Sequence, residues 1–293
     1  MCHVDILIKS HKRLWIMWIT SIEISIWNMS KCQCLRTYPH YFPHRTDFSR
    51  YEYILNVFYD LMEGKMKGKL FVIESGTDSS GKATQTLRLF ERLLAEGFNV
   101  RKVEYPDYES DSSALIKMYL KGEFGDRPED VNCYAASAFY AVDRYASFQK
   151  NWREFYEAGG IVIADRYTTS NMVHQASKIE DEAEKEEYLE WLVDFEFEKF
   201  RLPEPDEVIF LDMPPSVSIE LMRERNNKFT GESEKDIHEK SCDYLVKTYE
   251  NARQIASKYG WKSVDCVREG NLRTIDEIHD EIYSCIIEAI HKA

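Results

Sequence analysis

The stretch IESGTDSSGKATQT, residues 73–86, decides how the rest of the chain is read. It leaves the apolar run KLFVIES and enters ATQTLRLFERLLAEG, a helical pattern. Gly76, four residues, Gly81 and Lys82 therefore sit between a strand and a helix, the context this spacing requires of a phosphate-gripping loop. The glycines let backbone N–H groups turn inward around phosphates, the helix offers its N-terminus, and the lysine reaches the β and γ oxygens. The expected ATP-binding residues are Gly76, Thr77, Asp78, Ser79, Ser80, Gly81, Lys82, Ala83 and Thr84. Ala83 removes the hydroxyl that such loops usually place on Mg2+. Thr84 comes one residue late and points elsewhere on the helix. Two readings follow: a dead site, or a site whose metal is held by ATP phosphates, water and more distant carboxylates.

Outward from this loop, strands and helices alternate. KLFVIES (69–75), NVRKVEY (99–105), GIVIAD (160–165), EVIFLDM (207–213) and WKSVDCV (261–267) are short apolar or β-branched runs. Between them lie helical stretches such as DVNCYAASAFYAVDRYASFQKNWREFYEAG and KDIHEKSCDYLVKTYENARQIASKYG. This alternation predicts an α/β fold in three layers, a five-stranded parallel sheet flanked by helices, with its ligand crevice at the carboxyl ends of the strands. The acidic run EDEAEKEEYLEWLVDFEFEKF reads as a helix with a solvated outer face, Leu189, Leu192 and Phe195/Phe197 packing inward, and no catalytic role.

Residues 1–65 are unlike the rest. They hold three of the six Trp and eight basic against six acidic residues, which leaves a net charge of −15 on the remainder. KSHKRLWIMWITSIEISIW has the outline of a signal peptide, but Glu23 interrupts it, no small-residue cleavage site follows, and it is short for a bilayer span. MKGKLFVIES opens directly into a strand, and Met62–Lys65 can be encoded by a message containing GGAGG, a bacterial ribosome-binding sequence. The reading is thus an N-terminal extension over 1–65, disordered or a mis-assigned start, and one domain over 66–293. The overall charge of −13 argues against broad nucleic-acid binding, although a few local cations can still hold a small anion. Seven scattered cysteines without a CxxC pair read as reduced thiols in a cytoplasmic protein.

ADRYTTSNMVHQ, residues 164–175, begins where a parallel sheet places ligand groups. Asp165 can hold magnesium through water, and Arg166 can fork onto a phosphate. Tyr140 and Arg144 lie one helical turn apart, so an aromatic plate and a guanidinium share one face and could stack a base and bond its carbonyl edge. LMRERNNKFTGESEKDIHE, residues 221–239, is polar, contains Gly231 and separates two helical patterns as a mobile flap should. The phosphate loop has no arginine, so Arg223, Arg225 and Lys228 are candidates to supply positive charge to the moving phosphoryl group, on a lid of about 223–238.

Taken in order, GTDSSGKATQT, YPDY, LKGEFG, SAFYAVDR, DRYTTSN and PDEVIFLD resemble the thymidylate kinase family, whose members are nucleoside-monophosphate kinases with a P-loop kinase fold. The resemblance runs from residue 66 to about the end. It implies phosphorylation of dTMP to dTDP with Mg2+ and ATP, toward dTTP synthesis. It also implies that Asp78 meets the 3′-hydroxyl, Tyr140 stacks on thymine and Arg144 bonds the base edge. Asn171, His174 and, more weakly, Gln175 line the base and deoxyribose. Tyr105, Pro106 and Tyr108 cover the acceptor, and Arg166 binds phosphate. Lid arginines serve family members without a basic residue in the loop, and the members are usually homodimers. Departures are Ser75 for Glu, Ser79 for Gly, and Asp107 where many members have a basic residue near the acceptor phosphate. A kinase of another monophosphate on the same fold, and an inactive nucleotide-binding regulator, are the rival readings. No nucleic-acid or membrane partner is expected.

Overall fold

The structure, a computed structural model, describes residues 67–77, 79–228 and 242–292. The expected N-terminal extension, Asp78 and most of the expected lid lie outside these residues, as do the side chains of 223–228. Strand β1 (Lys69–Ser75) is almost wholly buried, because it is the middle strand of a five-stranded sheet. The others are β2 (Val100–Glu104), β3 (Ile161–Asp165), β4 (Glu207–Asp212) and β5 (Lys262–Asp265), in the order β2-β3-β1-β4-β5. Every pairing is parallel, as the five apolar runs predict. Val267, the last residue of the fifth run, leaves the sheet and pairs with Leu272 in a short antiparallel hairpin.

Parallel strands need crossovers, and helices supply them. Helix α1 (Lys82–Ala95) follows β1, α2 (Ala114–Leu120) and α3 (Cys133–Ser147) follow β2, and the short α4 (Arg153–Glu157) leads into β3. Then come α5 (Thr168–His174), α6 (Glu182–Val193), α7 (Pro215–Lys228), α8 (Cys242–Lys258) and α9 (Ile275–His291). The ends of several are written in sequence: Asn132 caps α3, Asp181 caps α6, and Thr274 with Glu277 forms a reciprocal capping box on α9.

Successive residues of β1 serve opposite faces. Leu70 and Val72 join Val162, Ala164 and Val208 against Trp152, Tyr156, Phe148 and Tyr167. On the other face α1 packs on α9, and the Lys69 ammonium donates to the carbonyl of Ala289 at 2.8 Å. Arg88 and Arg92 of α1 add ion pairs to Asp276 and Asp280 of α9.

The stretch 130–159 is helical from Cys133 to Glu157, with a π-helical segment at Phe148–Trp152 between α3 and α4. Two expectations need correction. The acidic run has its solvated outer face, and Leu189 and Leu192 are buried, but Phe195 and Phe197 do not pack fully inward. α6 gives way to a π-helical segment at Asp194–Lys199, which leaves Phe195 and Phe197 only half-buried and turns Glu196 fully inward. Finally, Arg223, Arg225 and Lys228 belong to the last turns of α7 and not to a loop.

Entry to β1 is sterically tight. A Cβ on Gly68 would lie 2.4 Å from the Tyr156 carbonyl oxygen and 2.6 Å from that of Gly160, both backbone atoms that cannot swing aside. Gly68→Ala is therefore expected to destabilise the fold by about 1–3 kcal/mol, the usual cost of overpacking, read as a lower midpoint in urea unfolding.

Candidate active site

The site forms at the carboxyl ends of β1 and β3, where Ile73 pairs with Asp165. Gly81 starts α1 with φ +87 and Ser79 has φ +54, so the loop twice uses the left-handed region that favours glycine. Lys82 is buried, and its ammonium donates to the Ser75 hydroxyl at 2.7 Å. That hydroxyl also accepts from Ser80 at 2.8 Å and donates to the Thr77 carbonyl at 2.7 Å, which fills its capacity. Ala83 and Thr84 are exposed on the first turn of α1.

Asp165 is buried; desolvation pushes its carboxyl up, and the cations Lys82 and Arg166 oppose that rise without cancelling it. Arg166 takes φ +66, a backbone conformation rare outside glycine and characteristic of functional sites. Its guanidinium lies 3.1 Å from His174 Nε2 and 3.8 Å from the Glu74 carboxylate. Because arginine only donates, His174 Nε2 is the acceptor in that contact. Glu74 is fully buried and accepts from the Ser75 N–H, the Thr169 hydroxyl and the Ser170 hydroxyl at 2.9, 2.8 and 2.6 Å.

Beside these groups opens a cleft. Its walls bring together Tyr105, Pro106, Tyr108, Tyr140, Arg144, Arg166, Asn171, His174 and Gln175, every described residue assigned to the acceptor from sequence, and add Leu120 and Ser170. The Tyr105 hydroxyl accepts from Trp152 Nε1 at 3.0 Å. Gln175 Oε1 is a buried acceptor with no hydrogen-bond partner among the described residues, so a donor on a ligand would satisfy it. Tyr140 stands edge-on to Tyr119, centroids 6.5 Å apart.

Residues behind the walls were missed from sequence. Asp143, buried on α3, accepts from the Asp107 N–H at 2.8 Å and the Ser112 hydroxyl at 2.5 Å, and so ties the segment after β2 to α3. Burial pushes its carboxyl up. Glu196 accepts from Arg144 Nε at 2.7 Å and Nη2 at 2.5 Å, so Arg144 is a buried ion-pair residue. Burial would lower the Arg144 pKa, yet the Glu196 charge leaves it raised. Asp143 adjoins Arg144 in the quoted AVDR, a signal that could have been followed; Glu196 is hidden among surface acids.

For a divalent metal the donor set is thin. Among the described residues no group of three or more His, Cys, Asp or Glu is placed to hold a metal ion, and the Glu74 oxygens are already engaged by three donors. A single buried carboxylate, Asp165, fits a metal held chiefly by nucleotide and water. No described helix is long and apolar enough to cross a membrane.

A central parallel strand ending in a glycine–lysine loop, beside a cleft walled by aromatics and cations, defines a P-loop phosphotransferase. The sequence model of the thymidylate kinase family matches residues 73–282, and the chain belongs to that family. A probable thymidylate kinase of Staphylothermus marinus is 27% identical over 218 residues, covering 74% of this chain and 94% of that protein. A Mycobacterium tuberculosis thymidylate kinase is 28% identical over 66% of this chain and 87% of its own length. The solved thymidylate kinase of Candida albicans superposes with a TM-score of 0.54 at 21% identity, over 77% of this chain and 94% of the other, and shares the fold.

Tyr119, buried against Tyr140, is held by Lys178, whose ammonium donates to the Tyr119 hydroxyl at 3.0 Å and the Val131 carbonyl at 3.1 Å. Desolvation lowers its pKa to about 8 from 10.5. The unfolded chain therefore binds more protons than the native one between about pH 8 and 10.5, and stability rises with pH across that window. Lys178→Met should remove that rise, which comparison of urea midpoints for both proteins from pH 7.5 to 10 will read.

Proposed function

We propose that the chain transfers the γ-phosphoryl group of ATP to the 5′-phosphate of dTMP, giving dTDP and ADP. The observation that carries this is the single cleft holding nine acceptor-assigned residues, with Arg166 on its wall and Arg166 and Lys82 both acting electrostatically on Asp165. Family membership supports the substrate.

The chemistry is mostly positioning and charge stabilisation between two anionic partners. In this reading the loop amides and Lys82 hold the β and γ phosphates; Lys82 leaves the Ser75 hydroxyl to do so. Arg166, aimed by its backbone and by Glu74, holds the acceptor phosphate, and Tyr140 stacks on the base. Asp78 takes the 3′-hydroxyl, while Arg223, Arg225 and Lys228 supply lid charge. The acceptor oxygen is already anionic near neutral pH, so no general base is required. Mg2+, when bound with ATP, neutralises phosphate charge; Asp165 would hold it through water, and Ala83 contributes no ligand. A cytosolic homodimer is the form the resemblance supports.

The test is ADP formation from Mg-ATP by the purified chain with dTMP, dUMP, dCMP, UMP and AMP supplied one at a time. ADP should appear fastest with dTMP and not without an acceptor. Lys82→Ala and Arg166→Ala should each lower kcat by on the order of 10²-fold or more, the scale for one preorganised charge-stabilising group. Full activity in Lys82→Ala would reject the site assignment.

A further inference from the structure

Glu196 lies outside the cleft, yet it holds two of the residues that line it. Its Oε2 accepts from Arg144 Nε at 2.7 Å and the Thr168 hydroxyl at 2.8 Å. Its Oε1 accepts from Arg144 Nη2 at 2.5 Å and Asn171 Nδ2 at 3.2 Å. These contacts fill a carboxylate's roughly four acceptor positions. The carboxylate is fully buried, so each contact acts without competition from water.

The consequence lies in what Arg144 and Asn171 have left to offer. A guanidinium carries about five N–H donors. Glu196 takes two from Arg144 and the Tyr167 carbonyl takes one at 3.3 Å, so donors remain on a residue that lines the cleft. Both amide hydrogens of Asn171 are used, on Glu196 and on the Ser137 carbonyl at 3.3 Å. Turning the amide over would set Oδ1 against a carboxylate and a carbonyl, two repulsive contacts in a buried site. Asn171 is therefore held with Oδ1 as its remaining group, an acceptor.

A cleft that offers donors from Arg144 and an acceptor from Asn171 complements an acceptor beside a donor. The 4-oxo group and N3–H of one class of pyrimidine have that pattern; a 4-amino group and bare N3 have its reverse. We infer that Glu196 is the positioning residue that sets the hydrogen-bonding polarity of the base site, so that the cleft selects 4-oxo over 4-amino pyrimidine nucleotides. This rests on the cleft being the acceptor-nucleotide site. A 4-amino base is rejected by mismatch, with its N–H2 toward a cation and its N3 lone pair toward Oδ1.

The experiment measures kcat/KM for dTMP and for 5-methyl-dCMP, which differ only in this edge, with the full-length wild type, Glu196→Gln and Thr168→Val. Both substrates are assayed on each preparation, so any loss of folded protein cancels in the ratio. The wild type should favour dTMP by about 10³-fold or more, as expected where a wrong substrate leaves buried polar groups unpaired. In Glu196→Gln a neutral carboxamide with its own N–H2 replaces the carboxylate, and Asn171 is no longer locked. The ratio should fall at least about tenfold, chiefly through a higher KM for dTMP. Thr168→Val, away from the cleft wall, removes one bond to Glu196 and should shift the ratio in the same direction by less; it decides the matter if Glu196→Gln does not fold. Preference for dTMP in the wild type with ratios unchanged in the folded variants overturns the positioning role and leaves the functional reading standing. A wild type that does not prefer dTMP overturns both.

Discussion

The constraint on which the molecule depends is the burial of β1 on both faces. Leu70, Phe71, Val72 and Ile73 are wholly removed from water, and β3 and β4 beside it are nearly so. Such strands leave ionisable groups room chiefly where the pairing ends, and there they gather: Glu74, Lys82, Asp165 and Arg166 come from three chain segments within one small volume. Low local dielectric makes each dependent on the others, which is why Asp165 is pushed up by burial and held back by two cations. A site that receives phosphate charge needs such preorganised groups, and the parallel sheet provides them as a result of its topology.

The cleft rests on a second buried charge pair, Arg144 with Glu196. Ion pairs of this kind are weak contributors to stability, because desolvation offsets the attraction, and well-packed apolar residues often do as well. Breaking one partner is costly, however, since it strands the other charge. The pair makes sense as a device that aims a guanidinium and an amide, and the α3 and α5 helices that carry them are joined through it.

Much of this was legible in the sequence. Five apolar runs became five parallel strands because a buried strand announces itself by composition alone, and the glycine–lysine spacing fixed the loop after the first. Tyr140 and Arg144 faced one way because helical spacing is reliable over one turn. Glu196 was not legible: in DFEFEK it is one acid among many, and only the π-helical segment rotates it inward against the expected periodicity. Glu74 was hidden differently, at the end of an apolar strand where a charge reads as the start of a loop. Asp143 and Lys178 act behind the walls, and distance across the fold has no signature in a single chain.

The departures of the phosphate loop can be weighed in the same terms. Ser79 stands where the family has glycine and still adopts φ +54, so it keeps the loop's shape at the cost of a strain of order 1–2 kcal/mol for a non-glycine residue. Ser75 stands where the family has glutamate and gives Lys82 a hydroxyl partner at 2.7 Å, while Glu74, one residue earlier, supplies a buried carboxylate to Arg166. Gly81 keeps its left-handed turn at φ +87. These substitutions alter how the loop is braced and leave the lysine and its turn in place. Ala83 is the exception, exposed on the first turn of α1 with no side-chain polar atom, where such loops usually carry a hydroxyl.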